Sequence, residues 1–298
     1  MQNFFGKHFF GLFFLTAVYI TVPAQDTLLV SSFGLQPGSR LNATPVILKA
    51  LAKCRTLQNP VLVFEKGRYD FWPQHAIEKE YCESNTTDNN PKRLAILVDQ
   101  FTSITIDGQG ADFVMHDRMQ PITIEGSRNV TVKNLQIDWD IPLTAQGKVI
   151  QVTPGFIDLQ INILESPYII EAGKLFFVGE GWKSRWWGVM EFDIETRLIP
   201  QGTGDEPCLG NNWDQYRAEE IAPGLVRLHY NFARKPKLGN VLVLRHNDRD
   251  HAGVFILESD GVTLEQLKIF HTAGLGVLSQ YSANLTMNSV LVGPNPAK

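Results

Sequence analysis

Cysteine and charge are both scarce in this chain, and each scarcity excludes a class of protein. Its 298 residues include three cysteines, Cys54, Cys82 and Cys208, which are too few for a disulfide framework and match no zinc-site spacing. We expect buried free thiols, with one disulfide as the alternative. Only 19% of the residues are charged, below the average of about 25%. The net charge of −4 and a pI near 6.0 make nucleic acid a poor partner.

The first residues carry a targeting signal. Lys7 precedes a Phe- and Leu-rich stretch from Phe9 to Val22, and Val22-Pro-Ala24 resembles a cleavage site. The apolar stretch is too short for the roughly 20 residues that a membrane-spanning helix needs. Residues 1–24 are therefore predicted to be a signal peptide. The protein is expected to be exported, periplasmic or extracellular, with no membrane span after cleavage.

The chain repeats a short pattern of apolar-x-apolar triplets between residues 96 and 292. Ile96-Leu-Val98 is followed eight positions later by Ile104-Thr-Ile106, and the same offset joins Ile122 to Val130, Val254 to Val262 and Val277 to Leu285. Adjacent units lie 26 or 23 residues apart. Such a period, built of short strands that bury alternate residues, indicates stacked coils. It predicts a right-handed parallel β-helix; a β-sandwich is the alternative, but it gives no reason for the fixed offset.

A start module, residues 25–142, is predicted to hold an N-terminal cap and the first coils. Residues 45–53 are apolar at helical spacing, with Thr44 as the predicted N-cap and Pro45 at the first helical position. This helix would cover the open end of the first coil. Residues 78–93 are polar and rich in turn formers, which predicts a surface loop.

A second module interrupts the repeat. Val130 and Val262 occupy the same place in the pattern but lie 132 residues apart, so about a hundred residues, 143–245, are inserted. Short alternating strands there predict a small antiparallel β-barrel or a sandwich, and residues 246–298 return to β-helix coils. The insertion holds four of the six tryptophans. Trp182 and Trp186 are candidates for contacting sugar rings, and the alternative is that they form the barrel core.

Several motifs resemble the α-1,3-galactosidases of glycoside hydrolase family 110: Asn42-Ala-Thr-Pro45, Glu65-Lys-Gly-Arg-Tyr-Asp-Phe71, Asn90-Pro-Lys-Arg93, Ile104-Thr-Ile-Asp-Gly-Gln-Gly110 and Gly293-Pro-Asn-Pro-Ala-Lys298. The resemblance implies an exo-acting, inverting hydrolase that removes terminal α-1,3-linked galactose. It also implies a β-helix interrupted by a barrel, a galactose-terminated oligosaccharide or glycan as partner, and no cofactor or metal for the chemistry.

The chain departs from that family at one point. The family's presumed catalytic acids, including an Asp-Asp pair, follow the stretch that resembles residues 293–298, where this sequence ends. The resemblance therefore implies an N-terminal fragment, truncated within the coils, with its catalytic carboxylates expected beyond Lys298.

Within the chain, Asp138 and Asp140 are weak catalytic candidates. On one strand face they would lie about 7 Å apart, within the carboxyl separation that inverting glycosidases use; the alternative is that they cap a turn. Arg245, Asn247 and Asp248 carry hydrogen-bonding groups suited to galactose hydroxyls, and a solvated loop is the alternative. The isolated histidines His116 and His271 are interpreted as structural.

Two other functions remain open. A non-catalytic carbohydrate-binding β-helix fragment needs no acid pair, so sugar binding without turnover would identify it. A polysaccharide lyase on the same scaffold needs a base beside a carboxylate cluster that holds Ca²⁺. No such cluster is evident in the sequence, so the glycosidase interpretation is favoured.

Overall fold

The protein is mostly β-structure. The computed structural model describes residues 25–86, 89–272 and 274–297, so the predicted signal peptide lies outside the described residues. One α-helix occurs in this described part, α1 (Thr44–Cys54), together with short 3-10 turns at Val30–Phe33 and Cys208–Gly210. No helix among the described residues has the length and apolar character needed to cross a membrane.

Strands follow one another through the whole described chain. The strands before residue 143 are β1 (Thr27–Leu29), β2 (Val61–Val63), β3 (Arg68–Phe71), β4 (Ile77–Lys79), β5 (Lys92–Asp99), β6 (Ile104–Met115), β7 (Gln120–Glu125) and β8 (Arg128–Trp139). The next ten are β9 (Ala145–Val152), β10 (Phe156–Ile161), β11 (Tyr168–Glu171), β12 (Lys174–Gly179), β13 (Trp182–Arg185), β14 (Gly188–Phe192), β15 (Glu206–Pro207), β16 (Arg217–Ala222), β17 (Leu225–His229) and β18 (Val241–Arg245). The last are β19 (Ala252–Leu257), β20 (Asp260–Ile269), β21 (Leu275–Gln280), β22 (Thr286–Asn288) and β23 (Leu291–Val292).

Two largely parallel sheets contain the repeat. One runs β1-β2-β6-β8-β20-β22, with β3 beside β6 and β23 beside β20; the other runs β21-β19-β7-β5-β4, in which only β4 is antiparallel. Equivalent repeat positions pair directly: Ile96 with Ile122, Ile104 with Val130, Ile122 with Val254, Val130 with Val262 and Val254 with Val277. The strands before and after the insertion therefore share one hydrogen-bonded ladder.

The inward-facing triplet residues form the core between these sheets. Ile96, Ile122 and Val254 are each fully buried, as are Ile106 and Val132 on the facing sheet. Burying a side chain of this size contributes about 1.5–3 kcal/mol, so the repeat itself supplies much of the driving force for folding.

Helix α1 begins one residue earlier than predicted, at Thr44 instead of Pro45. Ala43 is the N-cap, and Thr44 is already helical with a buried hydroxyl. The Asn42 side-chain oxygen accepts the Thr44 N–H at 3.1 Å. The prediction that Thr44 is the N-cap was therefore wrong. Thr44 lies inside the helix, and its own backbone N–H is bound by the side chain of Asn42, which lies outside the helix.

The residues between β8 and β19 form antiparallel sheets. A seven-stranded sheet has the order β15-β14-β18-β9-β10-β17-β16, and a second sheet has the order β11-β12-β13. In the described structure the edge strands β15 and β16 do not pair with each other, so the larger sheet is open. β9 and β18, which begin and end this part of the chain, are hydrogen-bonded neighbours. The chain thus leaves the parallel sheets and returns to them at nearly the same place.

Candidate functional site

Polar side chains gather at one edge of the eight-stranded parallel sheet. Asp70 lies in β3, His116 directly follows β6, Asp138 and Asp140 lie at the end of β8, and His271 follows β20. Parallel strands end at the same edge of a sheet, so residues far apart in sequence become neighbours there. This edge adjoins the insertion and is the candidate active site.

Asp138 is held by three hydrogen bonds. It is 6% exposed, and its Oδ1 accepts the Trp139 backbone N–H at 2.8 Å and lies 2.6 Å from Nδ1 of His271. Its Oδ2 accepts the side-chain amide of Asn295 at 2.7 Å. A carboxylate fixed in this way is suited to orienting the His271 imidazole. It links β8, β20 and the segment after β23 at one point.

Asp140 has different surroundings, although it lies only two residues away. Its Oδ1 accepts a hydrogen bond from Nη2 of Arg68 at 2.6 Å, and its side chain is 38% exposed. The structure therefore gives the two candidate carboxyls separate partners, one buried and one open to solvent.

Arg68 also joins Asp140 to a buried pair. Asp70, 1% exposed, accepts Arg68 Nε at 2.8 Å, and its Oδ1 lies 2.9 Å from Nε2 of His116. The other ring nitrogen of His116 contacts the Glu180 carboxylate. Burial acts to raise the pKa of Asp70, but the hydrogen bonds from His116 and Arg68 outweigh it and lower that pKa. The isolated histidines thus sit in polar networks that sequence spacing did not indicate.

The segment from Arg245 to His251 connects the end of β18 to the start of β19. Arg245 forms an ion pair with Asp205, and its guanidinium lies 4.4 Å from the ring centroid of Trp187. Asn247 and Asp248 line a cavity of about 270 Å³. The amide nitrogen of Asn247 is buried there without a hydrogen-bond partner. Arg245 also lines this cavity, so the three residues of this segment that were predicted to bind sugar border the same space.

His251, in the same segment, lines a neighbouring cavity. This cavity has a volume of about 330 Å³ and is also lined by Asn90, Lys92, Arg93 and Arg118. His251 is 2% exposed, and its ring stacks on Trp139 with the centroids 5.5 Å apart. Burial lowers its pKa to about 4, so the ring is neutral near pH 7 and offers one donor and one acceptor.

Trp182 and Trp186, the two tryptophans predicted to contact sugar rings, are buried. Trp186 is fully buried and donates its indole N–H to the Gly188 carbonyl at 2.8 Å. Trp182 is 8% exposed and stacks on His246. Both rings pack inside the insertion, where the alternative interpretation put them. Trp213, 43% exposed, is the more open ring, and it lies with Trp187 beside Asp248.

The predicted surface loop at residues 78–93 is partly wrong. Glu83 is 5% exposed and Lys92 is 4% exposed, and β5 begins at Lys92. Burial raises the pKa of Glu83 to about 7, although the positive charge of Lys92 opposes that rise. A polar composition alone could not show that these charged groups face inward beside the His251 cavity.

Comparisons with known proteins agree with these features. Residues 145–242 match the family model described as GLAA-B beta-barrel domain I. The chain is 52% identical over 282 residues to an α-1,3-galactosidase B of Bacteroides thetaiotaomicron, covering 93% of this chain and 45% of that protein. It is 35% identical to an α-1,3-galactosidase A of Bacteroides fragilis (91% and 45%) and 33% identical to one of Shewanella woodyi (94% and 46%).

The similarity extends along nearly the whole chain, while the chain spans about 45% of the length of these relatives. The chain belongs to the α-1,3-galactosidase family that its motifs resemble.

Proposed function

We propose that this protein acts as an exo-acting, inverting glycoside hydrolase that removes terminal α-1,3-linked galactose from glycans. The observation that carries the proposal is its 52% identity to a protein named α-1,3-galactosidase B. The cavity lined by Asn247 and Asp248 gives it physical support, because the side-chain amide nitrogen of Asn247 is buried without a hydrogen-bond partner in the described structure. Sugar hydroxyls both donate and accept hydrogen bonds, so they are suited to such atoms.

The proposed scaffold is a right-handed parallel β-helix that carries a small β-barrel. The 26- and 23-residue registers of its parallel ladders support the helix, and the match of residues 145–242 supports the barrel. We take residues 25–142 and 246–298 as coils with their cap, and 143–245 as the barrel. We further propose export after cleavage following Ala24, and mass spectrometry of the protein recovered outside the cytoplasm would locate its first residue.

The test measures galactose release from α-1,3-galactobiose by the protein expressed from its complete open reading frame. Proton NMR during hydrolysis should show β-galactose before the α anomer, because an inverting enzyme acting on an α-linkage yields the β anomer first. A linear trisaccharide should lose only its terminal galactose. Release of α-galactose first, or no release from any α-1,3-galactoside, would contradict the proposal.

Carbohydrate binding without turnover is the second candidate for the described part of the chain. The observation that favours it is that Asp138 is fully engaged and Asp140 is paired with Arg68. Calorimetry with galactose would then show binding by a chain that releases no product. A polysaccharide lyase would instead generate an unsaturated uronate, which absorbance detects.

A further inference from the structure

Three potential metal ligands meet where the insertion contacts the eight-stranded sheet. One donor atom each from His116, Asp140 and Glu180 lies within 4.8 Å of the other two. We propose that these residues bind a divalent transition-metal cation such as Zn²⁺. An imidazole with two carboxylates is a donor set that zinc accepts, whereas Mg²⁺ and Ca²⁺ prefer oxygen ligands alone.

The surroundings of His116 match those of a metal-binding histidine. Its Nε2 lies 2.9 Å from Oδ1 of Asp70, which is buried and fixed by Arg68. A carboxylate behind a histidine sets the ring orientation and makes the other nitrogen a better ligand. Trp72 stacks on the ring at 3.9 Å, with an interplanar angle of 10°. The ring is thus held with Nδ1 towards Glu180.

The local charge also favours a cation. Asp70, Asp140 and Glu180 are three carboxylates, and Arg68 is the cation in direct contact with Asp70 and Asp140. Arg40 approaches Asp70 only to 3.8 Å and is 62% exposed, so solvent weakens its effect. Three carboxylates beside one guanidinium leave negative charge for a divalent ion to balance. Arg68 uses Oδ1 of Asp140 in its hydrogen bond, and no described hydrogen bond uses Oδ2.

The ligands come from three separate elements. His116 follows β6, Asp140 follows β8, and Glu180 lies in the turn between β12 and β13. A bound ion would therefore fasten the β12–β13 hairpin to the parallel sheet. Glu180 and Trp72 also line a groove of about 370 Å³, which gives an ion a route from solvent. The Asp140 and Glu180 side chains are 38% and 48% exposed, which leaves them room to close around an ion.

The experiment is a Zn²⁺ titration of the tag-free, chelator-treated protein by isothermal calorimetry. We expect about one ion per chain and a higher Tm with Zn²⁺ than without it. His116→Gln and Glu180→Gln should each weaken binding at least tenfold and abolish the rise in Tm. Zinc affinity should fall as pH falls, since a ligating histidine must be unprotonated. Cobalt substitution should give visible absorption that His116→Gln removes.

His229 provides a matched control. It contacts Glu219 at 3.0 Å on the exposed surface of the insertion, without a third ligand in the described structure. His229→Gln should leave zinc affinity unchanged. The proposal is overturned if the unaltered protein binds no stoichiometric zinc, if Glu180→Gln binds as tightly as the parent, or if His229→Gln loses as much affinity as His116→Gln. Circular dichroism checks that the variants fold, and no readout depends on galactose release.

Discussion

At the scale of single residues, burial shifts the pKa values of several ionisable side chains in this protein. Glu83 lies in a run of polar residues that resembles a solvated loop, yet its carboxyl faces the interior. His246 and His251 belong to a hydrophilic segment, yet both are buried, and burial lowers the pKa of His246 to about 3. The sequence identifies such groups, but only the packing around them sets their protonation.

The Glu83 carboxyl should lower the free energy of unfolding as pH rises from mildly acidic to neutral. Its pKa rises from 4.5 to about 7 in the folded protein. Between these values the folded state holds a proton that the unfolded chain releases, so the Glu83 contribution to stability falls as pH rises through this window and levels off above it. The full contribution is about 3 kcal/mol at most. His246 and His251, whose pKa values burial lowers, contribute a change of opposite sign, so urea unfolding at pH 5 and pH 8 must compare the parent with Glu83→Gln.

Glu83→Gln should lack this contribution, so its stability relative to the parent should be higher at pH 8 than at pH 5, by up to about 3 kcal/mol. Glu78→Gln is the control, because the Glu78 side chain is 57% exposed, and it should retain the parent's pH dependence. Identical pH dependence in the parent and Glu83→Gln would contradict the prediction.

The cysteines should differ in reactivity. All three are free; Cys54 and Cys208 are buried and Cys82 is exposed. Burial raises the pKa of Cys54 to about 11 and that of Cys208 to about 12, so neither forms the reactive thiolate at pH 8. We expect a thiol reagent to modify one cysteine in the native protein and three after denaturation. Cys82→Ser should lose the native reaction, and fast modification of a second thiol would refute this assignment.

At the scale of elements, hydrogen-bonding partners override local turn signals. Asp107-Gly108-Gln109-Gly110 has the composition of a turn, but β6 continues through it, with a shift in register to β8 between Asp107 and Ala111. The chain bends at this irregularity without ending the strand. Gly108 is needed because the neighbouring strand approaches closely: an added Cβ would lie 2.5 Å from Cβ of Leu135.

Gly108→Ala should therefore destabilise the protein by about 1–3 kcal/mol, the usual cost of overpacking. An added methyl group would also lie 2.6 Å from the Asn134 carbonyl, and backbone atoms cannot rotate away. Gly155→Ala is the control, since nothing lies within 4 Å of its added Cβ, and it should change stability by less than about 0.5 kcal/mol. Chemical denaturation of both variants measures the difference. Equal stability of the two would show that β6 relaxes freely.

At the scale of the whole molecule, local stability should vary between the parallel sheets and the insertion. In the described structure β8 is paired on both sides, by β6 and β20, whereas β16 pairs only with β17 at the edge of the larger sheet of the insertion, and five of its six residues are exposed. Opening an edge strand disrupts fewer contacts than opening a central one.

Hydrogen exchange should reveal this gradient. Amides of β8 are expected to be protected roughly a hundredfold more than those of β16, in native buffer, by mass spectrometry of peptides. β20 should show protection close to that of β8, because it pairs with β8 along most of its length. Equal exchange in β8 and β16 would mean that the two sheets open as one unit.

The sequence by itself determined the parallel pairing and its registers, because apolar residues at a fixed offset can be buried only when equivalent positions lie side by side. It also located the interruption and the family motifs. Only the tertiary structure decided which polar groups meet. His116, Asp140 and Glu180 belong to separate segments of the chain, and Trp186 is buried against Tyr216, thirty residues away in sequence. Such contacts depend on distances between elements, which a local pattern of residues does not encode.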